Sequence, residues 1–174
     1  MQREAAPSSE QVEQLEQDVG VVDAIYITVS AGETMQPQEQ VIAHAGRGLE
    51  GDRYLLGRGY YSQREYPREG GRHLTLIEAE VLDDLQREHN ITLPPNESRR
   101  NLVTRGIALN DLLDREFTIG SIRCEGVGLC EPCVYLEELT GKPVLKPLVH
   151  RGGLRAKILS SGTISLGDEV RAVS

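Results

Sequence analysis

The sequence has no run of apolar residues long enough to cross a membrane as a helix, and no charged-then-apolar leader at its start. These absences point to an intracellular, cytoplasmic protein with no membrane role. An even, spaced set of cysteines is also missing. The three present, Cys124, Cys130 and Cys133, are clustered, which excludes a disulfide framework and suits a reducing compartment. A formal charge of −8 lacks the basic footprint that nucleic acid or an anionic membrane surface requires. Tryptophan is absent and aromatics are 4%, yet 39% hydrophobic and 26% charged residues form an ordinary globular balance. The chain of 174 residues suits one complete core. We expect a flexible polar tail over residues 1–19, with five acids and one base, and a single domain over 20–174.

Lysine is nearly missing too. Sixteen of the nineteen basic residues are arginine, and ten of those fall between Arg47 and Arg105. Planar guanidinium forks grip carboxylate or phosphate two bonds at a time, so an acidic protein with a local arginine field suggests a small anionic ligand. From Gly46 to Arg72 the chain holds seven glycines, six arginines, four of its six tyrosines and no lysine, without any periodicity. A loop this long within a compact domain is functional or disordered. Its glycines also let backbone amides approach an anion. Ser98-Arg99-Arg100-Asn101 adds a second cationic cluster at a strand entry, where one arginine should face inward and the next outward.

Around these segments the pattern is strand-rich. Val21–Val29, a short Val41–Ala43, His73–Ile77, Asn101–Thr104, Leu154–Leu159 and Asp168–Val173 read as strands. Glu116–Val127 reads as one more, with Thr118, Gly120, Ile122 and Cys124 on one face. Cys124 is then a small packed hydrophobe. Glu78–His89 has helical spacing and should stop near Asn90, and Leu109–Leu113 should form a single turn of helix or a tight bend. Val144–Val149 could be a short helix. Six or seven short strands with two or three helices predict an α+β, strand-rich barrel rather than a doubly wound sheet.

Cys130-Glu131-Pro132-Cys133 places two thiols at the start of a helix that runs to Gly141. Cys133 should lie in the first turn, where free amides and the helix dipole favour a thiolate that attacks substrates or binds a soft metal. Zinc would need more ligands, and only Cys124 with a distant histidine could supply them. A thioredoxin-type pair should follow a strand of a βαβ unit, which the flanking elements suit poorly. Cys133 is therefore read as a reactive or metal-bound sulfur.

Gly48-Leu49-Glu50-Gly51-Asp52-Arg53, Arg99-Arg100-Asn101-Leu102-Val103-Thr104, Cys130-Glu131-Pro132-Cys133 with Leu136-Glu137, and Ile164-Ser165-Leu166-Gly167-Asp168-Glu169-Val170 resemble, in that order, the MOSC domain. That domain occurs at the C-terminus of molybdenum-cofactor sulfurases and in stand-alone bacterial proteins. The resemblance runs from Gly46 to Val173. It implies a barrel of the MOSC type, similar to that of pyruvate kinase, holding a molybdenum cofactor through one cysteine. That cysteine corresponds to Cys133, and the arginine of the family's Arg-x-Asn strand motif to Arg99, with Asn101 following. On this resemblance Gly51, Asp52, Arg53, Arg99 and Asn101 are the expected cofactor-binding residues. Arg53 and Arg99 would neutralise its phosphate, and Asn101 would position pterin or substrate. Some stand-alone relatives reduce N-hydroxylated compounds. This chain carries no pyridoxal-phosphate desulfurase domain, so pyridoxal phosphate is not expected. It also has no flavin, haem or iron–sulfur motif, so a reductase role acting on a small-molecule substrate implies an electron-donating partner. The alternatives are a sulfur carrier with a Cys133 persulfide, or a non-catalytic binding module with structural cysteines.

Overall fold

The computed structural model describes residues 5–173, so the first four residues of the expected N-terminal tail lie outside the described residues. In chain order the elements are α1 (Ser9–Gln17), β1 (Gly20–Ile27), β2 (Gln36–Gln38), β3 (Gln40–His44), β4 (Gly48–Leu49), β5 (Leu74–Glu78), α2 (Ala79–His89), β6 (Leu102–Arg105), β7 (Glu116–Ile119), β8 (Ile122–Leu129), α3 (Val134–Thr140), β9 (Leu154–Ile158), β10 (Gly162–Ser165) and β11 (Glu169–Ala172). Short 3-10 turns cover Pro95–Ser98 and Leu109–Leu112.

β1 closes the main sheet. It pairs antiparallel with β6 on one side and with β11 on the other, and the order β11-β7-β8-β9-β5-β6 completes a seven-stranded barrel. β2 adds to β1 beyond the barrel, and β10, β3 and β4 form a small second sheet. Among the named strands only β5 and β6 run parallel, and the connection between them carries α2, the crossover that a parallel pair requires. β5 is buried on both faces for that reason. Leu74 and Leu76 point into the barrel, while Ile77 joins the outer layer made by Val81, Leu82 and Leu85 of α2.

The barrel interior is filled by side chains from every wall. Phe117, Ile119, Ile122, Cys124, Leu102, Leu154, Ala156, Ile158 and Val170 form one continuous apolar cluster. Burying Phe117 completely contributes about 1.5–3 kcal/mol relative to leaving it in water. The second cluster, outside the wall, unites α2 with Leu136 of α3 and with Val144 and Leu148.

α2 ends as expected. Asn90 turns left-handed at φ 54° and its N–H donates to the Gln86 carbonyl oxygen at 3.2 Å. Four expectations need correction. Glu116–Val127 is a hairpin instead of one strand, because Gly120 at φ 56° and Ser121 turn the chain between β7 and β8. The inward set is accordingly Phe117, Ile119, Ile122 and Cys124. β2, β4 and β10 had no place in the sequence reading, and the strands among the described residues number eleven. Val144–Val149 is a series of turns and not a helix. α3 starts at Val134, one residue after Cys133, so Pro132 precedes the helix and Cys133 is its N-terminal cap residue, with extended backbone at φ −135° and ψ 162°.

Candidate functional site

Between β4 and β5 the glycine- and arginine-rich segment forms a succession of turns that packs against the barrel end. Asp52 fastens it. Its carboxylate is 1% exposed, accepts from the Thr28 and Tyr54 backbone N–H groups at 3.3 and 3.4 Å, and pairs with Arg53 Nη1 at 3.1 Å. Arg53 Nη1 also meets Met35 Sδ at 3.4 Å, and its Nη2 donates to the Arg99 carbonyl oxygen at 3.1 Å. One buried ion pair thus ties the loop to the end of β1 and to the entry of β6. Gly51, at φ 80°, makes the turn into this clasp.

Asn101 is a second fastener. Its Oδ1 accepts from the Thr75 N–H and hydroxyl at 3.2 Å each, and its Nδ2 donates to the Tyr26 carbonyl oxygen at 3.2 Å. Three strands, β1, β5 and β6, meet at this one side chain. Neither Arg99 nor Arg100 faces outward. Arg99, left-handed at φ 65°, is buried and donates through Nη1 to the Glu33 carbonyl oxygen. Arg100 donates through Nε to the Gly152 carbonyl oxygen at 2.8 Å and through Nη2 to that of Cys130 at 3.3 Å.

The cysteine segment leaves β8 held from two sides. Cys130 N–H donates to the Gly153 carbonyl oxygen at 2.7 Å, and Arg100 holds the Cys130 carbonyl. Gly152 permits this closeness, since a Cβ there would overlap the Cys130 carbonyl oxygen. Cys133 then presents its carbonyl to the Leu136 N–H at 3.0 Å and turns its half-buried side chain to the Tyr61 hydroxyl. Partial burial and the hydrogen bond to Cys133 push Tyr61 up to about 12. Cys124 is different. It is fully buried, and burial pushes its thiol up to about 12, which fits the expected packed hydrophobe. Among the described residues no three His, Cys, Asp or Glu side chains converge to hold a metal.

These elements enclose a cavity of about 300 Å³. Both Cys130 and Cys133 reach its wall, with six arginines: Arg53, Arg64, Arg72, Arg99, Arg100 and Arg155. Two acids oppose them, and one, Glu131, already accepts from His150 N–H at 3.1 Å. Among the described residues Arg53 is the only one of the six with a carboxylate partner. Burial and the charge of Arg53 both lower the pKa of Arg99. Arg72 is held by rings, with its guanidinium carbon 5.9, 5.1 and 5.4 Å from the Tyr54, Tyr61 and Tyr66 centroids. Tyr60 stacks on Tyr135 at 3.8 Å, joining the loop to α3.

Of the residues singled out in the sequence, Arg53, Arg99 and Cys133 line one cavity, while Gly51, Asp52 and Asn101 do not reach its wall. Sequence reasoning missed Arg155, which has no motif around it, and the tyrosine cage. Arg72 lay within the lysine-free arginine stretch, but nothing in that stretch distinguished it from Arg68, which pairs with Asp114 and Glu125.

No curated protein matches the sequence. Among solved structures the chain is similar to YuaD from Bacillus subtilis, with TM-score 0.71 and 14% identity over 87% of this chain and 94% of that one. It is also similar to YiiM from Geobacillus stearothermophilus, with TM-score 0.67 and 14% identity over 89% of this chain and 75% of that one. YiiM from Escherichia coli gives TM-score 0.56 and 17% identity over 87% and 70%. At these identities the likeness is one of fold. A sequence model of the MOSC domain matches residues 51–171, more than half of the chain, and with the barrel it leads to one conclusion: the chain belongs to the MOSC domain family.

Proposed function

We propose that this protein binds a molybdenum cofactor with Cys133 as the protein's ligand to the metal, and that it reduces N-hydroxylated small molecules with electrons from a separate reductase. The observation that carries the reading is a cysteine side chain on the wall of a cavity whose arginines outnumber their carboxylate partners. The residues fit such a group. A sulfur donor selects a soft metal, and Arg99, buried on the same wall without a carboxylate partner among the described residues, leaves a cation for an anionic group. When bound, the cofactor supplies the oxygen-atom and electron chemistry.

The protein's own share is positioning and charge compensation. Arg100, Gly152 and Gly153 hold the Cys130–Cys133 segment at the cavity wall. The Tyr61 hydroxyl orients the Cys133 sulfur. Arg53 fixes Arg99, and Arg99 offsets negative charge on the cofactor. Expression in a host that makes the cofactor, followed by metal analysis, tests the assignment. Wild type and Cys130→Ser should retain molybdenum and Cys133→Ser should lose it. Equal molybdenum in Cys133→Ser and wild type would remove Cys133 as ligand.

The two cysteines on one wall favour a second reading, a sulfur carrier. In it Cys133 carries a persulfide whose outer sulfur passes to an acceptor. Intact mass that shows a reducible gain of one sulfur without molybdenum would select this reading over the first.

A further inference from the structure

Two of the cavity's arginines form a group apart from the Arg53–Arg99 side. Arg72, just before β5, and Arg155, in β9, both approach the ring of Tyr66, at 5.4 and 5.0 Å from its centroid. Tyr66 is itself locked. A Cβ at Gly71 or at Gly128 would overlap its ring or its hydroxyl, so the two glycines form the slot in which it sits. The ring therefore spaces two guanidinium groups on a rigid strand and a braced loop.

This arrangement is electrostatically incomplete. Burial, and secondly the charge of Arg155, lower the pKa of Arg72. Arg155 makes one hydrogen bond, from Nη1 to the Gly71 carbonyl oxygen at 3.1 Å, and Arg72 makes none. Among the described residues neither has an ion-pair partner, although Arg68 and Arg151 on neighbouring surfaces have two each. Like charges set beside one another without a carboxylate, each with free N–H groups on a shared cavity, match the oxygens of one anion.

We propose that Arg72 and Arg155, braced by Tyr66, form an oxyanion subsite that selects substrates bearing a carboxylate or phosphate group. The subsite rests on the proposed function for its role but not for its existence. The reacting end of the substrate lies toward Cys133 and its anionic end is held here, so a neutral analogue of the same size binds more weakly.

Inorganic phosphate is the probe. In the full chain, free of metal, titration calorimetry should detect phosphate binding, and Arg72→Gln or Arg155→Gln should weaken it by about tenfold to a hundredfold, the loss expected for one charged fork. Arg72→Lys, which keeps the charge without the fork, should fall between. Arg58→Gln, an exposed arginine of the same loop outside the cavity, should bind as wild type. Melting in phosphate-free buffer shows that each variant is folded. The same titration on molybdenum-loaded protein separates the two sources of an oxyanion. Phosphate binding that persists after loading supports the substrate subsite. Binding abolished by loading assigns these arginines to the cofactor's own phosphate and overturns the proposal, as does wild-type affinity in Arg72→Gln or no binding to wild type. If the protein takes up no molybdenum while Arg72-dependent phosphate binding remains, the function proposed above fails and the oxyanion subsite stands.

Discussion

The Asp52–Arg53 clasp and the Arg72–Tyr66–Arg155 wall border one cavity and are built from similar residues, but they serve opposite ends. In the clasp every charge has a partner within the chain. Arg53, 6% exposed, is fixed by a carboxylate, a thioether and a carbonyl. In the wall the cations meet only rings and a single carbonyl. The difference teaches that arginine type and location in a cavity do not identify a ligand-binding residue. On the subsite proposed above, the presence or absence of an internal partner does.

The comparison can be broken by substitution. Arg53→Met should produce the largest effect, because it strands the buried Asp52 carboxylate without its cation. A loss of about 3 kcal/mol or more in urea unfolding is expected. An unchanged denaturation midpoint would mean that the clasp is not structural. A smaller effect belongs to Tyr61 in alkaline solution. Its folded-state value of about 12 lies above the ordinary 10.0, so the stability it contributes is complete below pH 10 and disappears as the pH rises toward 12. Tyr61→Phe should therefore lose stability less steeply than wild type across that window. Absorbance titration of phenolate should show Tyr61 returning part of the way to its ordinary value in Cys133→Ala, with burial maintaining the rest. The smallest change is expected for Arg72→Gln, where lost ring contacts are offset by relief of repulsion from Arg155. Its unfolding free energy should differ from wild type by less than about 1 kcal/mol. A large destabilisation there would place Arg72 with the clasp and erase the distinction.

Much of the barrel was legible in local pattern. The β-branched run of β1, the helical spacing of α2 and its stop at Asn90 depend on neighbours in sequence, and the structure contains them. The β7–β8 turn was misread because Glu116–Val127 can be written as a single alternating strand. Only pairing across the sheet, Ile119 opposite Ile122, shows that Gly120 and Ser121 reverse the chain. The site was legible as a set of residue types and less so as a set of roles. Arg53, Arg99 and Cys133 do share a cavity. That Asn101 is engaged by Thr75 and Tyr26, or that Arg100 binds Cys130 and Gly152 backbone, depends on contacts between residues far apart in the chain. Arg155 was invisible for the same reason.

The position of β1 has a consequence for how this family's domain can be cut. The recognised family region begins at Gly51, yet the strand between β6 and β11 comes from residues 20–27, and Val41 and Ala43 of β3 also fill the core. A fragment trimmed to the matched boundaries would leave two unpaired strand margins and an open seam along the wall. Such margins recruit other chains, so the trimmed piece would tend to self-associate before it could present a cavity.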